Sequence, residues 1–310
     1  MIVTRGLTKR FGAKLAVEAI DLDVGDGEVF GFLGPNGAGK TTTVRMLSCL
    51  IGPTAGEARV GRWLIGRDDD QIRQHIGILT ESPGLYERFS ARFNLDFYAR
   101  LYGLEGERRA AQVEKYLRLL DLWERRDETV GTFSKGMKQK MAIARCLVHE
   151  PDLIFLDEPT AGLDPEAAHT VRDFIASLRA EGRTIFLCTH NLDEADRLCD
   201  RIAIMKQRIV AVGSPAELRR RLQGRKTVLR LAAPCPEALA AIRRLPFAAT
   251  AEAEGDQVFV PVQDPDAQNP AIVREAVLAG AQVRYVEELG ASLEDVYLSL
   301  VGHTAKEARP

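Results

Sequence analysis

The segment Gly34-Pro-Asn-Gly-Ala-Gly-Lys40-Thr41 constrains this chain more than any other part of it. It follows the short apolar run 28–33, which reads as a strand, and leads into residues 41–51, which have helical character. A strand that passes through a glycine-rich turn into a helix, with Lys and Thr closing the turn, predicts an α/β unit whose loop cradles a polyphosphate. Glycines let successive backbone N–H groups point inward at phosphate oxygens, and the positive end of the helix adds to them. Lys40 is a point charge for the β- and γ-phosphates of a nucleoside triphosphate, and the Thr41 hydroxyl suits Mg²⁺. Gly34, Pro35, Asn36, Gly37, Ala38, Gly39, Lys40, Thr41 and Thr42 are therefore the candidate nucleotide contacts.

A second run, Leu153-Ile-Phe-Leu-Asp157-Glu158, is an apolar strand ending in two carboxylates. Side chains alternate along a strand, so the two acids diverge. Asp157 is placed to hold hydrated Mg²⁺, and Glu158 to polarise an attacking water, the division that phosphoryl transfer needs. On its own such a strand end is as well explained by two solvated acids. Downstream of a phosphate loop the chemical reading is the better one.

Around these runs the chain alternates strand and helix. Residues 1–7 and 15–24 read as strands, joined to the next by the turn Gly25-Asp26-Gly27. From about residue 68 to 132 the pattern is helical, with Phe93, Phe97 and Leu101 at every fourth position. Asp164-Pro165 supplies a cap and a first-turn proline, and Val171, Phe174, Ile175 and Leu178 line one face of the helix that follows. Residues 184–189 and 202–206 are further strands, so a mainly parallel sheet covered on both faces is expected. From about Arg225 the order becomes strand (227–231), helix (236–245), strands (248–254 and 256–262), helix (270–278), strand (282–287) and helix (293–300). That βαββαβ order predicts a ferredoxin-like second domain. The expected division is 1–222 and 226–302.

Composition narrows the function classes. At 310 residues, 45% hydrophobic and 28% charged, a soluble globular chain of two domains is expected, not a disordered or fibrous one. No apolar run approaches the roughly 18 residues of a membrane helix, and the N-terminus lacks the apolar core of a signal peptide. A formal net charge of −2 gives no bulk electrostatic case for nucleic acid. Five scattered cysteines without a Cys-x-x-Cys pair fit a reduced cytosol, not a disulfide framework or a zinc site.

Phe133-Ser134-Lys135-Gly136-Met137-Lys138-Gln139 opens an amphipathic helix and resembles the signature of the ABC ATPase superfamily. Ala161-Gly162-Leu163-Asp164 is similar to that family's dimer-contact loop, and His190, 32 residues after Glu158, falls where the family has its switch histidine. Phe11 falls where an aromatic ring stacks on adenine. The resemblance implies a fold: a parallel sheet core, an antiparallel β subdomain and a helical subdomain, here followed by the small α+β domain. It implies that Ser134 and Gly136 bind the γ-phosphate of ATP held by the other protomer, while His190 senses that phosphate.

The chain also departs from the pattern. Lys135 and Met137 replace the second-position glycine and the glutamine of the signature, so contacts from those side chains do not carry over. Glu81 stands where most of the family has glutamine. A carboxylate only accepts hydrogen bonds, so the resemblance leaves Glu81 a place near Mg²⁺ or its water. The coupling of its loop to a membrane partner stays open. These variants, with the Ser292-Leu-Glu-Asp-Val-Tyr297 ending, resemble bacterial ATP-binding subunits of antibiotic, drug, lipid or ion exporters.

The resemblance implies an ATP-hydrolysing motor subunit, working as a homodimer or with a second ATP-binding subunit. It would be peripheral on the inner face of the membrane and would energise a separate permease docked on the region between Glu81 and Thr132. Nucleic acid is not expected as a partner. The alternative is a non-transport ABC ATPase acting on ribosomes or nucleic acid, although such proteins usually carry two cassettes or long coiled coils. The C-terminal domain is expected to help hold the dimer.

Overall fold

The structure, a computed structural model, describes residues 1–80, 84–221, 225–289 and 292–302. The chain divides into two compact units, Met1–Pro215 and Ala216–Pro310. The first opens with β1 (Ile2–Phe11), β2 (Lys14–Val24) and β3 (Val29–Leu33), which runs through the glycine-rich loop into α1 (Lys40–Leu47). β4 (Ala55–Val60), β5 (Trp63–Leu64), α2 (Asp69–His75) and β6 (Ile76–Leu79) follow, then α3 (Ala91–Leu101), α4 (Gly106–Leu119) and α5 (Lys135–Leu147). β7 (Leu153–Asp157), α6 (Pro165–Ala180), β8 (Thr184–Thr189), α7 (Leu192–Leu198), β9 (Arg201–Lys206) and β10 (Arg208–Gly213) complete the site-bearing part.

Two sheets organise this unit. The larger runs β10-β9-β3-β8-β7-β6, with β9, β3, β8, β7 and β6 parallel and β10 antiparallel at the edge. The smaller is antiparallel, β2-β1-β4-β5. β3, β7 and β8 are buried along their whole length, as strands covered on both faces must be. Phe30, Phe32 and Phe155 converge on Phe186, with centroids 5.2 to 5.7 Å apart, beneath the strand ends that carry the loop and the carboxylates.

Several details differ from the expectation. β6 interrupts the stretch read as helical: four residues are too few to show a period, and Gly77 lets β6 approach α5. A Cβ on Gly77 would lie 2.5 Å from the Cys146 carbonyl oxygen. β4, β5 and β10 were not anticipated either. Phe93 and Leu101, whose spacing marked α3, lie on its outer face, while Ala91, Asn94, Leu95 and Ala99 are buried.

The second unit contains α8 (Pro215–Arg221), which begins at the division, then β11 (Arg225–Leu231), α9 (Pro236–Ile242), β12 (Glu252–Glu254) and β13 (Gln257–Val262). It ends with α10 (Pro265–Leu278), β14 (Val283–Leu289) and α11 (Leu293–Gly302). The antiparallel order β12-β13-β11-β14 is the ferredoxin-like arrangement anticipated for βαββαβ. Leu229, Val258, Val260, Ile242 and Ile272 form its core. The first strand of the hairpin is shorter than expected. α10 starts at Pro265, not Pro270, because Asp264 caps it by accepting from the Ala267 N–H.

Candidate nucleotide site

A pocket of about 400 Å³ opens at the C-terminal ends of β3 and β7. It is lined by Pro35, Asn36, Gly37, Gly39, Lys40, Thr41 and Thr42 from the loop and α1, and by Asp157, Glu158 and His190 from the strand ends. Phe11, Lys14 and Ala16, on β1, β2 and their hairpin, form one wall. Gly34 and Ala38 shape the loop without lining the pocket. Gly39 has φ +104°, and a Cβ there would lie 2.5 Å from the Ala16 carbonyl oxygen, so only glycine fits. No side chain caps the N-terminus of α1, which leaves its first N–H groups to a ligand.

The Lys40 ammonium lies at the centre. It donates to the Gly34 carbonyl at 2.6 Å and the Pro35 carbonyl at 3.3 Å, and stands 3.9 Å from Glu158 Oε1. Asp157 is 2% exposed at the end of β7, while Glu158 turns into the pocket. Glu158 has φ +53°, a left-handed conformation unusual for a non-glycine residue and held here by its N–H donating to the Cys188 carbonyl at 2.9 Å. His190 Nδ1 is 2.8 Å from Glu158 Oε2, so the imidazole donates to the carboxylate and keeps Nε2 for another partner. Burial, reinforced by Asp157, holds the Cys188 thiol well above its ordinary pKa, so it stays protonated and is no nucleophile.

Phe11 is 51% exposed although large and apolar, with the Lys9 ammonium 5.2 Å from its ring centre. It is not a core residue but a flat platform at the pocket mouth. Lys14, its partner across the hairpin, was missed from sequence; only the pairing of Phe11 with Lys14 reveals it.

Ser134 and Gly136 do not line this pocket. Ser134 caps α5, its Oγ accepting from the Met137 N–H at 3.2 Å, and Gly136 packs against Ala167 at the start of α6. The segment is also tied to the loop after β7. Gln139 donates to the Pro159 carbonyl at 2.7 Å, and the Lys135 ammonium covers Gly162. Glu81 lies outside the described residues. Among those residues no group of three His, Cys, Asp or Glu side chains forms a metal cluster. The oxygen donors Thr41 and Asp157 both line the pocket, a hard donor set that suits Mg²⁺ beside phosphate oxygens.

A phosphate loop at the end of β3 on a parallel sheet, with two adjacent acids at the end of β7 opening on the same pocket, is the arrangement of a P-loop nucleoside triphosphatase. Comparison with known proteins carries this to a family. Residues 17–161 match the ABC transporter family and residues 213–301 match "ATP-binding protein DrrA1-3-like, C-terminal domain". The chain is 36% identical over 304 residues to a Nod factor export ATP-binding protein I from Burkholderia lata, covering 98% of this chain and 97% of that one. It is 37% identical over 305 residues to the daunorubicin resistance ATP-binding protein DrrA3 of Streptomyces coeruleorubidus, covering 97% and 96%. The linearmycin resistance ATP-binding protein LnrL of Bacillus subtilis is 33% identical over 317 residues, covering 99% and 100%. A solved ATP-binding subunit of an ABC transporter superposes with TM-score 0.66 at 32% identity, covering 71% of this chain and 92% of its own. A dimeric bacterial ABC transporter cassette does so with TM-score 0.63 at 26%, covering 69% and 98%. The chain belongs to the ATP-binding subunits of ABC transporters and is an ATPase of that family.

Proposed function

We propose that this chain powers export by a separate membrane permease, through closure of two ATP-binding subunits on ATP. The observation that carries this is the divided site: Phe11, Lys40, Asp157, Glu158 and His190 meet in one pocket, while Ser134 and Gly136 do not line it. A second subunit placed head to tail supplies the missing pair. Lys40 and the loop N–H groups bind the phosphates, Phe11 stacks on adenine, Glu158 orients the attacking water, and His190 holds Glu158 while reading the γ-phosphate. Thr41 and Asp157 would hold Mg²⁺, which would supply charge neutralisation at the phosphates. The motor is residues 1–222, and 226–302 is an accessory domain that helps hold the dimer.

Among the described residues no helix is long and apolar enough to cross a membrane, so transport needs a partner that does. The helical region offers the face for it. Phe89, Phe93 and Phe97 form a ladder with centroids 4.5 and 6.4 Å apart, and Phe89 and Phe93 are 47% and 46% exposed. Buried Asn94 fixes the preceding loop by accepting from the Tyr86 N–H at 2.8 Å and donating to the Tyr86 and Ser90 carbonyls. A rigid, exposed aromatic ladder is a docking surface, and the permease's cytoplasmic helices are its occupant. The chain would then lie on the inner face of the membrane.

Tagged chain recovered from gently solubilised native membranes should bring a stoichiometric polytopic membrane protein, and the Glu158→Gln variant should bind ATP but lose hydrolysis by about a hundredfold or more. Recovery with ribosomes from the soluble fraction, or wild-type turnover by Glu158→Gln, would overturn the reading.

A further inference from the structure

We infer that Glu194 is a positioning residue of the hydrolytic pair. This rests on the reading that Glu158 orients the water with His190 beside it. Glu194 lies in the first turn of α7 and is 1% exposed. Its Oε1 accepts from the Thr160 hydroxyl at 2.9 Å. Its backbone N–H donates to Asn191 Oδ1, and the Asn191 N–H donates to Thr189 Oγ1, while the Thr189 hydroxyl acts on the same carboxyl group to lower its pKa. Thr160 stands two residues after Glu158, and Thr189 one residue before His190. One buried residue thus joins the two loops whose ends meet in the 2.8 Å contact between His190 Nδ1 and Glu158 Oε2, its side chain bonded to the first and its backbone N–H to the second.

The backbone explains why such a tie is needed. Glu158 at φ +53° occupies a strained conformation, and it persists only where both flanks are fixed. β7 fixes the upstream flank. Downstream, the Ala161 N–H donates to the Glu158 carbonyl at 3.1 Å, and Thr160 is anchored to Glu194. On the other loop, the Asn191 N–H donates to Thr189 Oγ1 at 3.0 Å, and the Asn191 side chain accepts from the Glu194 N–H at 3.1 Å. Glu194 therefore sits where the turn that carries His190 closes on itself.

Stability alone gives a poor account of this residue. Among the described residues Glu194 makes no ion pair, and its buried Oε2 has no hydrogen-bond partner. A carboxyl group left in that state disfavours folding, and an apolar side chain of similar volume would suit the space better. Burial, with the Glu158 charge adding to it, raises the Glu194 pKa, and the Thr189 and Thr160 hydroxyls and Arg172 on α6 oppose that only in part. A costly group held against both halves of a reactive pair is explained by what it positions.

The test uses the full chain. Thr160→Val removes the donor at nearly constant volume, Thr160→Ser restores it, and Glu194→Gln and Glu194→Ala alter the acceptor. Thr160→Val and Glu194→Ala should lower kcat roughly tenfold, the loss of one hydrogen bond to a carboxyl group. KM for ATP and equilibrium binding of a fluorescent ATP analogue should stay within about twofold, because the binding groups are untouched. Thr160→Ser should recover most of kcat. Wild-type kcat in Thr160→Val and Glu194→Ala, or a loss of kcat matched by an equal loss of ATP binding and melting temperature, would overturn the inference. Glu158→Gln assayed in parallel separates the two readings. If it is inactive while Thr160→Val is normal, only the role of Glu194 falls; if it hydrolyses normally, the reading of Glu158 falls first.

Discussion

His149 allows an acid-sensitivity experiment whose size follows from its surroundings. It lies between α5 and β7, its ring stacked on Tyr102 with centroids 3.5 Å apart and planes within 4°. Nε2 is 3.0 Å from the Ile76 carbonyl and donates to it, which leaves Nδ1 as the site for a second proton. Nδ1 is buried with no hydrogen-bond partner among the described residues. Burial therefore pulls the pKa down from 6.5 to about 4, with His75 and Arg183 adding to it against the opposing Ile76 contact. Above about pH 7 the ring is neutral in both folded and unfolded chains and contributes no pH dependence. As the pH falls through 6.5, the unfolded chain takes up a proton that the native chain refuses until about pH 4, so stability is lost across that window. At pH 5 the loss is about 2 kcal/mol. Both tryptophans, Trp63 and Trp123, lie in the first unit, so urea unfolding followed by their fluorescence reports that unit alone. With a urea slope of about 3 kcal/mol/M, the midpoint drop from pH 7 to pH 5 should be about 0.7 M larger in wild type than in His149→Gln. Carboxylates that titrate in both proteins cancel in the difference. Equal drops would show that His149 titrates normally and that its burial has been misjudged.

Phe11→Ala should raise KM for ATP by about tenfold with kcat little changed, since one base–aromatic stack contributes about 1–3 kcal/mol; steady-state kinetics checks this, and an unchanged KM would remove Phe11 from the adenine site. Phe93→Asp places a charge in the aromatic ladder and should abolish co-purification of the membrane partner, measured by tagged recovery from membranes. Full recovery would move the docking face elsewhere.

The nucleotide half of the site was legible because its chemistry is local. The glycines, Lys40 and Thr41 are consecutive, and the strand and helix that aim them are their immediate neighbours. Asp157 and Glu158 were equally plain at the end of an apolar strand. What escaped depends on pairing between distant segments. Lys14 reaches the pocket only through the β1–β2 hairpin, and β6 is defined by its place beside β7, not by a period in four residues. The four-residue spacing of Phe93, Phe97 and Leu101 gave the correct helix, but a period does not say which face is buried. Buried Asn94 on the opposite side, bonded to four backbone groups of the preceding segment, decides that. α10 shows a competing signal of the same kind. The helix was expected to begin at Pro270, but the Asp264–Pro265 pair caps it more than a turn earlier and Pro270 is carried inside it.

Whether two chains complete each other's sites can be settled without a structure of the pair. In one chain the groups proposed to contact phosphate and water open at the ends of β3 and β7, while Ser134 and Gly136 begin α5 against α6. If ATP were served by one chain alone, a variant without Lys40 and a variant with Ser134 and Gly136 disabled would stay inactive when mixed. If the sites are shared, a mixed dimer has one intact site, built from the Lys40 of one chain and the Ser134 and Gly136 of the other. Its second site combines both defects. Random pairing makes half the dimers mixed, so Lys40→Ala mixed equally with Ser134→Arg/Gly136→Asp should recover about a quarter of the wild-type ATPase rate. The recovery should grow with the square of protein concentration when the dimer is weak, because only encounters between unlike chains contribute. A rate that stays at the level of the separate variants at every concentration would place the whole site in one chain, and Ser134 would then be a helix cap and nothing more.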